Sequence, residues 1–186
     1  MNILTTPLAD CIVIDGKGYR LRTDFRIWIE FERIMQDKKI APHHKVRMIY
    51  DLCFEEPPPC GVALDTLMEF YRGEKPKGKS GGKAVISFSQ DGDYIYSAFY
   101  TQYGIDLTEA QMHWHKFRAL FAGLKEDNMI VKIMQIRGMD LSKIKDKNHK
   151  AHYRRLKRLY RLEKGNTDAA VAFGNLFEGV DIDEQG

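Results

Sequence analysis

This 186-residue chain has no apolar run that approaches the ~18 residues a membrane-spanning helix requires, so no such helix is expected. Its first sixteen residues, MNILTTPLADCIVIDG, have no basic start and are broken by Pro7, Asp10 and Asp15, so a secretory signal is not expected. Cysteine is scarce. Three residues (Cys11, Cys53 and Cys60), odd in number and without ligand spacing, suit free thiols in a reducing cytoplasm rather than a disulfide framework. Internal repeats are absent, as are G-x-S-x-G and any cysteine motif that marks a nucleophile, so nothing in the sequence points to an enzyme. What is present is 44% apolar residues, enough for a real core, beside an ordinary 30% charged residues.

The net charge of +3 conceals an uneven distribution. Residues 143–164 hold ten Lys/Arg against two acids, whereas residues 165–186 hold five acids and no Lys/Arg. The remaining 142 residues carry 19 of each sign. The asymmetry therefore belongs to the C-terminal third alone.

Periodicity predicts a mainly α fold: an N-terminal β-hairpin packed on a bundle of about six helices, α+β by strict count. The hairpin is Cys11–Ile14 and Tyr19–Arg22 around Asp15-Gly16-Lys17-Gly18. Thr23-Asp24 caps a helix with Ile27, Trp28, Phe31, Ile34 and Met35 at core spacing. A second helix fits His43 to Phe54, and a third Ala63 to Tyr71. Val85-Ile86-Ser87-Phe88 is ambiguous. Asp91 or Asp93 caps a helix that carries Ile95, Ala98 and Phe99 and ends at Gly104. Thr108-Glu109-Ala110-Gln111 reads as a capping box, with Leu107 and Met112 as its staple, and starts a helix that runs to about Leu124. Further helices fit Asp127 to Arg137 and Ser142 to Glu163. The expected organisation is hairpin plus helices over 1–72, a flexible Gly/Lys-rich linker over 73–84, a helical part over 85–163, and an acidic, disordered tail over 164–186.

Gly73 to Ser80 carries the letters G-x-x-x-x-G-K-S, but a phosphate-binding loop needs a strand before it and a helix after it. Here an amphipathic helix precedes it and Gly81-Gly82 follows, so a chance match in a linker is the preferred reading. His113 and His115 lie two apart, a spacing that points helical side chains in different directions, and His43-His44 fails in the same way as a metal pair. Asp91-Gly92-Asp93 lacks the later ligands of a calcium loop. No catalytic, cofactor or metal residues are assigned, and no cofactor is expected.

The basic C-terminal helix is the informative element. On a 100° wheel, His149, His152, Tyr153, Leu156, Leu159, Tyr160 and Glu163 share one third, and the lysines and arginines occupy the rest. Over Ser142–Glu163 it would be ~33 Å long. Three uses compete: docking on the core with a solvated cationic face, capture of an acidic or amphipathic partner helix, and contact with nucleic-acid phosphates. The candidate partner-binding residues are Tyr153, Arg154, Leu156, Arg158, Leu159, Tyr160 and Arg161. The acidic tail and the neutral remainder argue against nucleic acid.

The runs Asp93–Phe99, Gln102–Leu107, His113–Phe117, Ala119–Leu124 and Ile136–Leu141, the basic stretch Tyr153–Leu162, the Ile14-Asp15-Gly16 hairpin and the Thr23–Arg26 helix start together resemble the phage family named after gene product fifteen. The resemblance spans about residues 10–162 and is strongest from Tyr94 to Leu124. It departs at His115, where the family often has a second aromatic. It implies a tail-assembly chaperone of long-tailed phages and prophages, working in the host bacterial cytoplasm. Such a protein binds the tape-measure protein, and beside it the tail-tube protein, and is absent from the finished virion. A homo-oligomer is compatible with that role. The alternatives are a nucleic-acid binder using the basic helix and a structural component of the tail.

Overall fold

The computed structural model describes residues 3–59, 64–73 and 84–163. Most of the proposed linker, the whole acidic tail and Cys60 lie outside the described residues. The elements are β1 (Cys11–Ile14), β2 (Lys17–Arg20), α1 (Phe25–Gln36), α2 (Pro42–Cys53), α3 (Leu64–Arg72), α4 (Gly92–Tyr103), α5 (Trp114–Ala122), α6 (Met129–Gly138) and α7 (Lys147–Leu159). The mainly α fold with an N-terminal hairpin is as the periodicity predicts, with seven helices among the described residues.

β1 and β2 pair antiparallel, Cys11 opposite Arg20 and Ile14 opposite Lys17. Asp15 and Gly16 both adopt positive φ (50° and 78°), as a two-residue hairpin turn demands. Strand alternation sends Ile12 and Ile14 inward and leaves Val13 exposed. The hairpin leans on α2 through a bridge between Leu21 and Phe54. Arg22 Nη1 donates to the carbonyls of Asp51 (2.6 Å) and Leu52 (3.1 Å), a cation at the C-terminal end of α2.

The core is aromatic. Phe117 on α5 stacks on Phe25 (4.7 Å between centroids) and on Phe99 (5.0 Å), and also meets Phe88, Trp114 and Phe121. Trp28 on α1 lies 4.5 Å from Phe70 on α3, and Tyr71 stacks on Trp114 at 5.2 Å. One cluster of buried residues runs from Ile12 to Met134 and draws on both sides of the 74–83 segment. Ile86, Ser87 and Phe88, ambiguous in sequence, form neither helix nor strand, yet all three are buried.

Two helix boundaries depart from the sequence reading. The first is the capping box. Thr108 to Gln111 does not begin a helix; α5 begins at Trp114, with His113 as its cap. Asp106 intercepts the capping group, since its Oδ1 accepts both the Thr108 amide (2.8 Å) and the Thr108 hydroxyl (2.6 Å) in a local turn. The chain then runs extended against the start of α1. The Phe25 amide donates to the Met112 carbonyl (2.8 Å) and the Trp114 amide to the Thr23 carbonyl (2.7 Å). Leu107 and Met112 are buried as a staple would bury them, but by tertiary packing.

The second is the last helix, which spans 13 residues rather than Ser142–Glu163 and so measures ~20 Å. Asp146 caps it by accepting the His149 amide (2.7 Å), and Tyr160 ends it. Asp140 and Ser142 form a separate turn upstream (2.9 Å).

The cap of α4 is also not as expected. Asp91 stands at the N-cap, but its side chain does not cap. It turns inward to Arg137, and Asp93 supplies the acid of the first turn. Gly104 ends α4 in the left-handed region (φ 66°) as predicted, with its amide donating to the Tyr100 carbonyl.

Candidate partner-binding surface

α7 is the one helix among those described with no buried residue. It packs along α6. Lys150, Tyr153, Leu156, Lys157 and Tyr160 are half-buried, and the remaining positions of the helix are exposed. Of the seven candidate residues, Tyr153, Leu156 and Tyr160 thus turn partly toward the body. Arg154, Arg158, Leu159 and Arg161 face solvent, Leu159 at 69% exposure.

The docked stripe is rotated by about 60° from the apolar stripe of the wheel. Polar anchors set that rotation. Lys157 Nζ donates to the Met139 carbonyl, where its cation meets the C-terminal end of α6. Arg137 Nε donates to the Tyr160 carbonyl at 2.6 Å. The Glu163 amide donates to Gln90 Oε1 at 3.0 Å. These bonds draw the lysine side of α7 against the body and leave Leu159 in water. Beside it on the helix surface stand His152 and Arg155, with Arg158 next around, all exposed.

Arg137 is the hub of this attachment. Its guanidinium grips Asp91 in a two-pronged pair, Nη1–Oδ2 at 2.6 Å and Nη2–Oδ1 at 2.8 Å, with both side chains below a tenth exposed. Asp91 Oδ2 also accepts the Ser87 amide (2.9 Å), and Arg137 Nη1 reaches the Val85 carbonyl (3.0 Å). One buried ion pair therefore ties α4, α6, the 85–87 segment and the end of α7. Sequence reasoning missed it, because an Asp at a helix start reads as a cap and nothing local points 46 residues onward to Arg137.

A second buried polar group lies away from α7. Glu32 accepts from the Tyr71 hydroxyl and from Gln36 Nε2 (2.7 Å). Burial raises the Glu32 carboxyl to about 7, opposed by these two hydrogen bonds. Burial, with the Glu32 charge second, pushes the Tyr71 hydroxyl well above its ordinary range. The adjoining cleft, lined in part by Glu32, Gln36 and Ser87, encloses about 30 Å³, which suits a water molecule rather than a substrate.

The two histidines are brought together, contrary to the spacing argument. Their ring centroids are 5.3 Å apart because His113 sits in the cap and not on the helix. Both His113 nitrogens are engaged: Nδ1 accepts from the His115 amide (3.1 Å) and Nε2 lies 3.0 Å from the Ala9 carbonyl. His115 packs 4.6 Å from Phe70, and burial, then His113 and Arg118, lowers its pKa to about 4. It remains neutral and serves as a ring, which reconciles it with the aromatic expected at that place. Among the described residues, no group of three or more His, Cys, Asp or Glu is placed to hold a metal ion, and no helix is long and apolar enough to cross a membrane.

Of the phosphate-loop letters only Gly73 is described; the rest lies outside the described residues. The element before it is helix α3 and not a strand. Gly73 closes that helix with φ 67°, and a Cβ there would come within 3.0 Å of Arg118 Nη1.

The family model described as Bacteriophage Gp15 protein matches residues 4–162. The chain belongs to that family. The match takes in the hairpin, all seven helices and the Arg137–Asp91 hub, and it stops where the acidic tail is about to begin. No curated protein and no solved structure matches the chain. The Gp15 assignment makes this a phage protein.

Proposed function

We propose that this Gp15-family protein is a tail-assembly chaperone that binds the tape-measure protein reversibly in the host bacterial cytoplasm and leaves before the virion is complete. No covalent step and no cofactor enter the reading. The observation that carries it is the outer face of α7, where Leu159 is 69% exposed among the exposed Arg154, Arg155, Arg158 and Arg161. Long helical proteins with apolar stripes aggregate when bare. A helix that offers an apolar contact framed by cations can cover part of such a stripe and hold its flanking acids. The tail-tube protein is a second candidate partner.

Co-expression with the neighbouring tape-measure gene tests this. A soluble complex, weakened when Leu159 and Arg158 are replaced by Asp and Glu, supports it. No complex and no gain in tape-measure solubility ends it.

The same exposed arginines favour one other reading, phosphate contact with nucleic acid. Salt separates the two. Affinity for nucleic acid falls steeply between ~50 and ~200 mM salt in proportion to the phosphates contacted, while apolar capture persists. Recovery of the chain at high copy from purified virions would instead make it a structural tail component.

A further inference from the structure

We infer that the face of α7 bearing Leu159 is a docking site for this chain's own acidic C-terminal segment, residues 165–186. The face is built and unoccupied among the described residues. α7 holds six Lys/Arg and no acid, and Arg161 follows it. Arg155 and Arg158 flank Leu159, and Arg154 lies further round the same exposed side, so one apolar spot stands within a positive field.

The segment is its complement. It has five acids (Asp168, Glu178, Asp181, Asp183 and Glu184) and no Lys or Arg. Between the acids stand Val171, Phe173, Leu176 and Phe177, apolar groups with nothing else in that stretch to bury them.

Geometry favours the encounter. The Glu163 amide is pinned to Gln90 Oε1, so the segment departs from a fixed point four residues beyond Leu159. Twenty-two residues reach up to ~75 Å, far more than the ~20 Å of α7, and Gly165 permits an immediate reversal. An attached ligand of opposite charge starts from an effective concentration on the order of millimolar, so weak contacts suffice. The segment lies beyond residue 162, where the family match ends. Its use would be to cover the cationic, apolar face until a partner displaces it. That use rests on the partner-binding reading above, but the contact itself does not.

Hydrogen exchange of the full-length chain, without partner, tests the contact. At ~50 mM salt, amides of residues 168–184 should exchange about ten-fold slower than in the free peptide, and they should reach the free-peptide rate near 1 M salt. The charge reversal R154E/R155E/R158E touches only exposed side chains and should abolish the protection. Adding D181K/D183K/E184K to it should restore protection. Free-peptide exchange at low salt overturns the inference, as does protection unaffected by the reversal or protection that grows with protein concentration. The tape-measure experiment is independent of each of these results, so either proposal can fail while the other stands.

Discussion

The centre of the molecule and its α7 edge are held by different physics. Around Phe117, five aromatic rings from α1, α4, α5 and the 86–88 segment lie at centroid distances of about 5–6 Å, and apolar burial dominates. At α7 no residue is buried, and the attachment runs through Arg137, Lys157 and Gln90 reaching carbonyls and an amide. Apolar burial is non-directional and cooperative, so the centre should unfold as a unit. A helix tied by a few directional bonds can loosen by itself, and such elements are the ones available for partners.

The strongest way to break this contrast is Phe117→Ala, which should cost about 3–5 kcal/mol in denaturant unfolding, from a lost ring and the cavity left behind. A loss below about 1 kcal/mol would mean the aromatic centre is not the principal source of stability. Next is Asp91→Ala, which strands a buried guanidinium and should cost about 3 kcal/mol. Its particular signature is local: amides of α7 should lose protection more than those of α1. Equal loss in both helices would erase the distinction between edge and centre.

Glu32→Gln sharpens it through pH. The folded Glu32 carboxyl, raised to about 7, binds protons more tightly than in the unfolded chain, so its contribution is present below about 4.5 and lost as pH rises through 7. The linkage limit for that loss is about 3 kcal/mol. His115, lowered to about 4, has the opposite sign: its contribution is present above about 6.5 and lost as pH falls through 4. In the parent chain the two slopes oppose each other between about 4.5 and 6.5. Glu32→Gln should leave only the histidine slope, so stability rises with pH to about 6.5 and is then flat. A variant that still loses stability between pH 6 and 8 would contradict the buried-carboxyl account. The smallest effect is expected at Leu159→Ser, within about 0.5 kcal/mol of the parent, since little is buried there. A larger loss would show that Leu159 is packed after all.

Where burial is set by a repeating local pattern, the linear order of residues was a good guide. The Asp24 cap, the Gly104 stop and the inward stripe Trp28, Phe31 and Ile34 were legible, and so was the hairpin, although its turn is Asp15-Gly16 alone and its second strand is Lys17–Arg20 rather than Tyr19–Arg22. The misses share one cause. Thr108 had a fair local cap signal, but Asp106 took both its hydroxyl and its amide, and pairing of Met112 and Trp114 with Phe25 and Thr23 held the following residues extended. Of the two candidate caps of α4, Asp91 and Asp93, Asp91 takes the N-cap position, but its side chain became a buried partner for Arg137. The wheel of α7 left open which part of its apolar third meets the body, and the Lys157 and Arg137 bonds put Tyr153, Leu156 and Tyr160 against it and Leu159 in water.

The residue order alone determined that this chain forms a hairpin and amphipathic helices, and that its cations and acids are concentrated in adjacent C-terminal stretches, because period, turn chemistry and charge are properties of neighbours along the chain. Tertiary structure alone decided where α5 begins, which side of α7 meets the body, and that Asp91 and Arg137 share a buried site. Those outcomes turn on which of several competing hydrogen-bond partners arrives from a distant part of the chain, and no local pattern records that.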